Sequence, residues 1–158
     1  MKILVTGGAG FIGSNFIRRV LQRYPEYKII NLDKVTYCAN LDNLRDIENS
    51  PNYKFVKGDI CDAQLVDQLA KEVDAIINFA AETHVDRSIH IGSRDFVMTN
   101  TVGVQTILDA VRRNPHIKKY VQVSTDEVYG SLDLDDLDSW TESSPIEPNV
   151  PYAAAKWP

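Results

Sequence analysis

Tyr152 and Lys156 stand four residues apart in PYAAAKWP, so on a helix they lie one turn apart on one face. An ammonium in that position lowers the pKa of a phenol. A tyrosine so tuned removes a hydroxyl proton while hydride leaves the same carbon for a nicotinamide. Upstream, VSTDEVYG (Val123 to Gly130) places Ser124, Thr125, Asp126 and Glu127 at the end of an apolar strand. The carboxyl ends of parallel strands open on a ligand crevice, so these side chains are presented to it, and Thr125 can hydrogen-bond the same hydroxyl. The plainer alternative, two loop carboxylates in solvent, loses weight beside Tyr152 and Lys156.

A second cluster lies near the start. TGGAGFIG (Thr6 to Gly13) follows one apolar run and opens a helical pattern. Gly7, Gly10 and Gly13 there permit a tight turn, close backbone approach to a pyrophosphate and close helix-on-strand packing. The free N–H groups and positive dipole end of the helix then face phosphates. Asp33 ends the next strand, twenty residues beyond Gly13, where a carboxylate accepts hydrogen bonds from both ribose hydroxyls and repels a 2′-phosphate. NAD is therefore expected over NADP despite Lys34, with a capping or turn aspartate as the alternative. Asp59, in KGDI, is placed for the adenine rim or for a plain turn. Phe11, Ile12, Lys34, Ile60, Ala80 and Ala81 complete the expected cofactor contacts.

Positioning these residues requires a sheet. KILVT, YKIINLD, YKFVKGD, DAIINFAA and KKYVQVS read as five strands that are apolar almost throughout. Between them, FIGSNFIRRVLQRY, NLDNLRDIEN, DAQLVDQLAKEV and a long segment from about Ser93 to Asn114 read as helices. Regular alternation predicts an α/β fold, a doubly wound parallel sheet of the Rossmann type. Phe16, Ile17, Val20 and Leu21 recur at helical spacing and are expected in the core. After Gly130 the pattern breaks into a polar, proline-containing loop whose LDLDDLD stretch is either solvated or a lid over ligand.

Composition narrows the function. The 158 residues, 44% hydrophobic, suit one domain with a real core. A net charge of -5 argues against nucleic-acid or membrane-surface binding and favours a small-molecule partner. Cys38 and Cys61 have no metal-ligand spacing, His90 and His116 are isolated, and no metal is expected. The early glycines leave no signal-peptide core and no run approaches a membrane span, so a cytoplasmic protein is expected.

Together, TGGAGFIG, the Ser124–Thr125 pair and YAAAK resemble the extended short-chain dehydrogenase/reductase family, whose members act mostly on nucleotide sugars. Within it, STDEVYG with AAETHVDRSI (Ala80 to Ile89) is similar to the dTDP-glucose 4,6-dehydratases, and the likeness spans the chain, DKVTYCANLDNL included. Related epimerases and decarboxylases share the glycines and YxxxK but do not usually carry both acids. The resemblance implies an NAD-dependent lyase. Tyr152 would deprotonate the sugar 4-hydroxyl as hydride passes from C4 to NAD+, with Lys156 stabilising the phenolate. Glu127 would take the C5 proton, Asp126 would protonate the departing C6 hydroxyl, and the hydride would return to C6.

The same resemblance implies that His84, Asp86, Arg87 and Ser88 contact substrate or the nicotinamide end, although loop hydrogen bonding stays open for His84 and Asp86. Asn100 resembles a position near the active site, or is a buried asparagine bonded only to backbone. Family members dimerise through the long helix and the YxxxK helix, so a homodimer is implied. Lys156 is followed only by Trp157 and Pro158, where the family continues the helix and adds a smaller substrate-binding portion. Residues 1–158 are thus expected to be an NAD-binding domain incomplete at its C-terminus, lacking the substrate domain, able to hold NAD but poorly active. The rival readings are a UDP-sugar 4-epimerase or another nucleotide-sugar enzyme, and a non-catalytic NAD-binding module.

Overall fold

A computed structural model describes residues 1–90, 92–132, 135 and 139–157. Five strands, β1 (Lys2–Thr6), β2 (Lys28–Asp33), β3 (Tyr53–Lys57), β4 (Ala75–Asn78) and β5 (Lys119–Gln122), form one sheet in the order β3-β2-β1-β4-β5. Every pairing is parallel, with Ile3 opposite Ile29 and Ala75. The order reverses at β1, where the chain leaving β1 and the chain leaving β4 lead to helices on opposite faces and leave a crevice at the carboxyl edge.

The two-residue period of β1 divides its side chains between two cores. Ile3 and Val5 pack with Ile17 and Val20 of α1 (Phe11–Arg23). Leu4 packs on the other face with Val66 and Leu69 of α2 (Ala63–Ala70) and Ile107 of α5 (Val104–Arg113). Both faces of the central strands are covered, which is why β1, β2 and β4 are apolar almost throughout, whereas the edge strands β3 and β5 stay partly exposed. Asp62 caps α2 by accepting from the N–H groups of Gln64 and Leu65, an arrangement worth about 1 kcal/mol.

The helix expected in NLDNLRDIEN is corrected to a single 3-10 turn, Leu41–Leu44. The Asn40 side chain accepts from Asp42 N–H and competes with helical bonding, and Leu44 alone of the turn is buried. The long helix expected from Ser93 to Asn114 comprises α4 (Arg94–Phe96), wider π-type turns over Val97–Gly103, and α5. Two elements went unforeseen: α3 (Val85–His90) and a 3-10 turn, Asp126–Tyr129. The final helix, α6 (Pro151–Lys156), begins with proline at its first turn, where no N–H partner is needed. The LDLDDLD stretch lies outside the described residues apart from Leu132 and Asp135. Among the described residues, no helix is long and apolar enough to cross a membrane, and no cluster of His, Cys, Asp or Glu could hold a metal.

Candidate active site

A cavity of about 390 Å3 opens along the carboxyl ends of the strands. Gly7, Gly10, Phe11, Ile12, Gly13, Asp33, Lys34, Asp59, Ile60, Ala80, Ala81, Tyr152 and Lys156 all line it, so the structure gathers every residue expected to hold the cofactor. Gly7 sits at φ +70°, and a Cβ there would fall 2.5 Å from the backbone nitrogen of Ala80. Gly10 begins α1 without a side-chain cap and with no acid in the first turn, which leaves the positive end of the helix open to an anion. Phe11 and Ile12 are exposed beside it.

Asp33 is buried, yet both its oxygens are engaged. One accepts from Ala9 N–H at 2.9 Å and the other from Val35 N–H at 2.8 Å, which fixes the carboxylate at the rim of the glycine turn. Lys34 and Asp59 pair on the cavity wall at 2.7 Å. Burial alone would raise the Asp59 pKa, but the Cys61 N–H and the Lys34 ammonium outweigh it and hold the carboxyl below its ordinary value. The Lys34 pKa is raised by its hydrogen bond to Asp59.

The opposite wall is the loop after β4. Glu82 and Thr83 line it with Ala80 and Ala81, and Asn100 braces it. The Asn100 Oδ1 accepts from Glu82 N–H and its Nδ2 donates to Glu82 C=O, both at 2.9 Å. Of the two readings open for Asn100, backbone bonding is the one observed, and it acts on a wall of the cavity. Cavity-lining residues that the sequence reading missed include Thr36, Cys38, Ala39 and Thr99. The first three follow Asp33 within six residues, a position past a strand end that could have flagged them.

Tyr152 and Lys156 meet the cavity from α6. Tyr152 packs edge-on to Phe96 with ring centroids 6.4 Å apart. The Lys156 Nζ donates to the Val123 carbonyl at 2.7 Å, and burial lowers its pKa to about 8. The expectation that the lysine pulls down the phenol is corrected here. Burial raises the Tyr152 pKa, Glu127 and Asp126 add to the rise, and the opposing influence is a hydrogen bond with Thr125. Thr125 also caps the acid turn, its Oγ1 accepting from Glu127 N–H at 3.4 Å and donating to Asp126 Oδ1 at 3.3 Å. One Glu127 carboxylate oxygen, Oε2, is buried without a hydrogen-bond partner. Ser124 lines the cavity and donates to the Lys156 carbonyl at 3.0 Å.

The residues after β4 expected to touch substrate are not gathered in the same way. His84 and Asp86 are exposed, and Arg87 lies 4.2 Å over the Tyr37 ring. Ser88 is buried, its hydroxyl donating to Val85 C=O at 2.6 Å within α3. Neither His84 nor Ser88 lines the cavity.

A family model described as GDP-mannose 4,6 dehydratase matches residues 4–157. The chain is 51% identical over 160 residues to a dTDP-glucose 4,6-dehydratase from Streptomyces niveus, covering 99% of this chain and 46% of that protein. A crystal structure of a dTDP-glucose 4,6-dehydratase from Streptomyces venezuelae with NAD bound matches at TM-score 0.91 and 51% identity, over 99% of this chain and 48% of that one. A UDP-Glc/GlcNAc 4-epimerase from Campylobacter jejuni matches at TM-score 0.85 but 30% identity, over 98% and 45%. The chain spans about half the length of the curated relatives it matches.

Proposed function

The chain belongs to the GDP-mannose 4,6 dehydratase family, and from that premise we propose that it supplies the NAD-binding part of an enzyme converting dTDP-glucose to dTDP-4-keto-6-deoxyglucose with loss of water. The observation that carries the reading is the joining of the acid turn to α6 at the cavity: Ser124 Oγ donates to Lys156 C=O at 3.0 Å and Lys156 Nζ to Val123 C=O at 2.7 Å, which sets Asp126 and Glu127 on the element next to the one that bears Tyr152. A 4-epimerase has no use for acid-base groups at C5 and C6. A binding module has no use for Tyr152 either.

The cavity suits a dinucleotide: the Gly7 turn has no room for a side chain, the start of α1 is uncapped, and Asp33 is fixed where ribose hydroxyls would meet it. When bound, NAD supplies an acceptor that stores a hydride from C4 and returns it to C6. As its phenolate, Tyr152 takes the proton of the 4-hydroxyl, with Thr125 hydrogen-bonded to the phenol oxygen and the Lys156 ammonium nearby on the same helix face. The C4 ketone acidifies the C5 proton, and Glu127, its Oε2 free of other partners, removes it. Asp126 protonates the C6 hydroxyl, which leaves as water, and as the hydride arrives at C6 the Glu127 carboxyl returns a proton to C5. Asp33 disfavours a 2′-phosphate and so selects NAD over NADP.

The complete protein works as a cytoplasmic homodimer on a nucleotide sugar, with neither nucleic acid nor membrane as partner. Exposed Val97, Met98, Val102 and Leu108 on the span from α4 to α5 support the dimer, and the net charge of -5 supports the rest. The portion in hand, about half of its relatives' length, holds NAD and by itself turns over little substrate. Incubating the complete protein with dTDP-glucose and either NAD+ or NADP+, and following the product by mass spectrometry, tests the reading. Loss of one water with NAD+ and little with NADP+ is expected. An unchanged mass with altered stereochemistry would make it an epimerase, and no change at all would remove this substrate.

A further inference from the structure

The oxidising residues and the eliminating residues sit on different elements. Tyr152 and Lys156 ride on α6, whereas Asp126 and Glu127 ride on the short turn after β5. They are separated in sequence by residues 131–150, and among the described residues no strand pairing fixes one against the other. Ser124 Oγ to Lys156 C=O and Lys156 Nζ to Val123 C=O tie α6 to the chain just after β5, and the acid turn beyond it is tied to the chain entering α6 by a clasp. Glu147 N–H donates to Val128 C=O at 3.0 Å, and Asn149 Nδ2 donates to Ser131 Oγ at 2.7 Å. Asn149 stands three residues before Tyr152, and Val128 directly follows Glu127.

Gly130 makes the clasp possible. It ends the acid turn at φ 99°, ψ −147°, a backbone state open in practice to glycine alone, while its N–H donates to Glu127 C=O at 3.1 Å. A Cβ at this position would fall 2.9 Å from the carbonyl oxygen of Glu147, the residue whose N–H holds Val128. The buried Val128 side chain anchors the turn from below, and the Tyr129 ring stacks on Trp140 with centroids 5.9 Å apart. The two ends of residues 131–150 are thereby held together.

We propose that Gly130 and the Val128–Glu147 clasp are positioning elements that hold Asp126 and Glu127 in register with Tyr152, so that proton removal at C5 follows oxidation at C4 without a shift of the sugar. This inference rests on the dehydratase reading. Neither Gly130 nor Glu147 lines the cavity, and α6 keeps its own anchors through Lys156 Nζ on Val123 C=O and Tyr152 on Phe96, so loss of the clasp is felt first at the acids.

The test uses the complete protein with NAD+ and dTDP-glucose in a single turnover, reading hydride uptake by nicotinamide absorbance, solvent deuterium at C5, and water loss by mass. Gly130→Ala introduces the clash. Glu147→Pro removes the clasping N–H while keeping Gly130, and Pro148 already biases residue 147 toward the extended backbone that proline adopts. For each variant that melts near the unmutated protein, hydride uptake is expected to stay within about twofold while C5 exchange and water loss fall about a hundredfold, the cost of a misplacement of about 1 Å. Equal loss of both steps would show a general structural role and overturn the inference, as would no loss of either. An unmutated protein that takes up hydride but loses no water, or takes up none, overturns the dehydratase reading and this inference with it.

Discussion

Burial holds the Lys156 ammonium at a pKa of about 8 instead of 10.5, while its Nζ keeps a 2.7 Å bond to Val123 C=O. The depressed value means that the folded state binds this proton less readily than the unfolded chain does. The resulting cost is complete below about pH 8 and fades as the pH rises toward 10.5. It amounts to roughly 3 kcal/mol at neutral pH, and losing the hydrogen bond from a charged donor would take back about 2. Lys156→Met is therefore expected to stabilise the chain by about 1 kcal/mol near neutrality while abolishing turnover of the complete enzyme. Denaturant unfolding at about pH 7 and about pH 10 checks this, since the gain must shrink at the higher pH; a variant less stable than the parent at neutrality would contradict it. The spacing of Tyr152 and Lys156 was legible in the sequence because four residues make one helical turn. The sign of the phenol's shift was not, because it depends on burial and on two carboxylates brought in from another element. The turning of the Ser88 hydroxyl into its own helix likewise depends on a helix that the pattern did not announce.

At the level of elements, the wall after β4 depends on one asparagine in the π-type turns between α4 and α5. Asn100→Leu keeps the volume roughly but leaves Glu82 N–H and C=O unpaired, at about 1–3 kcal/mol of stability. NAD should bind more weakly because Ala80, Ala81 and Glu82 line the cavity on the braced loop. Calorimetric titration of the variant with NAD measures the effect; unchanged affinity would show that the wall stands without its brace. All five strands could be read from their apolar runs, since a parallel sheet covered on both faces demands them. Elements held by local polar bonding escaped the reading. NLDNLRDIEN has the apolar spacing of a helix, but Asn40 and its neighbours close a 3-10 turn there. The acid turn Asp126–Tyr129 is capped by Thr125 and Gly130, neither of which carries a periodic signal.

The molecule as a whole is a sheet with two cores that brings three separate stretches of chain to one crevice: the glycine turn after β1, the acid turn after β5, and α6. Each was recognisable alone, and their convergence follows from parallel strands whose carboxyl ends share an edge. What the sequence could not show is how the second and third are joined, because the Ser124–Lys156 and Lys156–Val123 bonds end on backbone carbonyls and the Val128–Glu147 contact is wholly backbone. On the proposed function, this edge carries an elimination and not merely an oxidation, and Glu127→Gln in the complete protein, supplied with NAD+ and dTDP-glucose in deuterated water, separates the two. Nicotinamide should still be reduced by the sugar while deuterium exchange at C5 disappears; exchange at the unmutated rate would remove Glu127 from the role of C5 base.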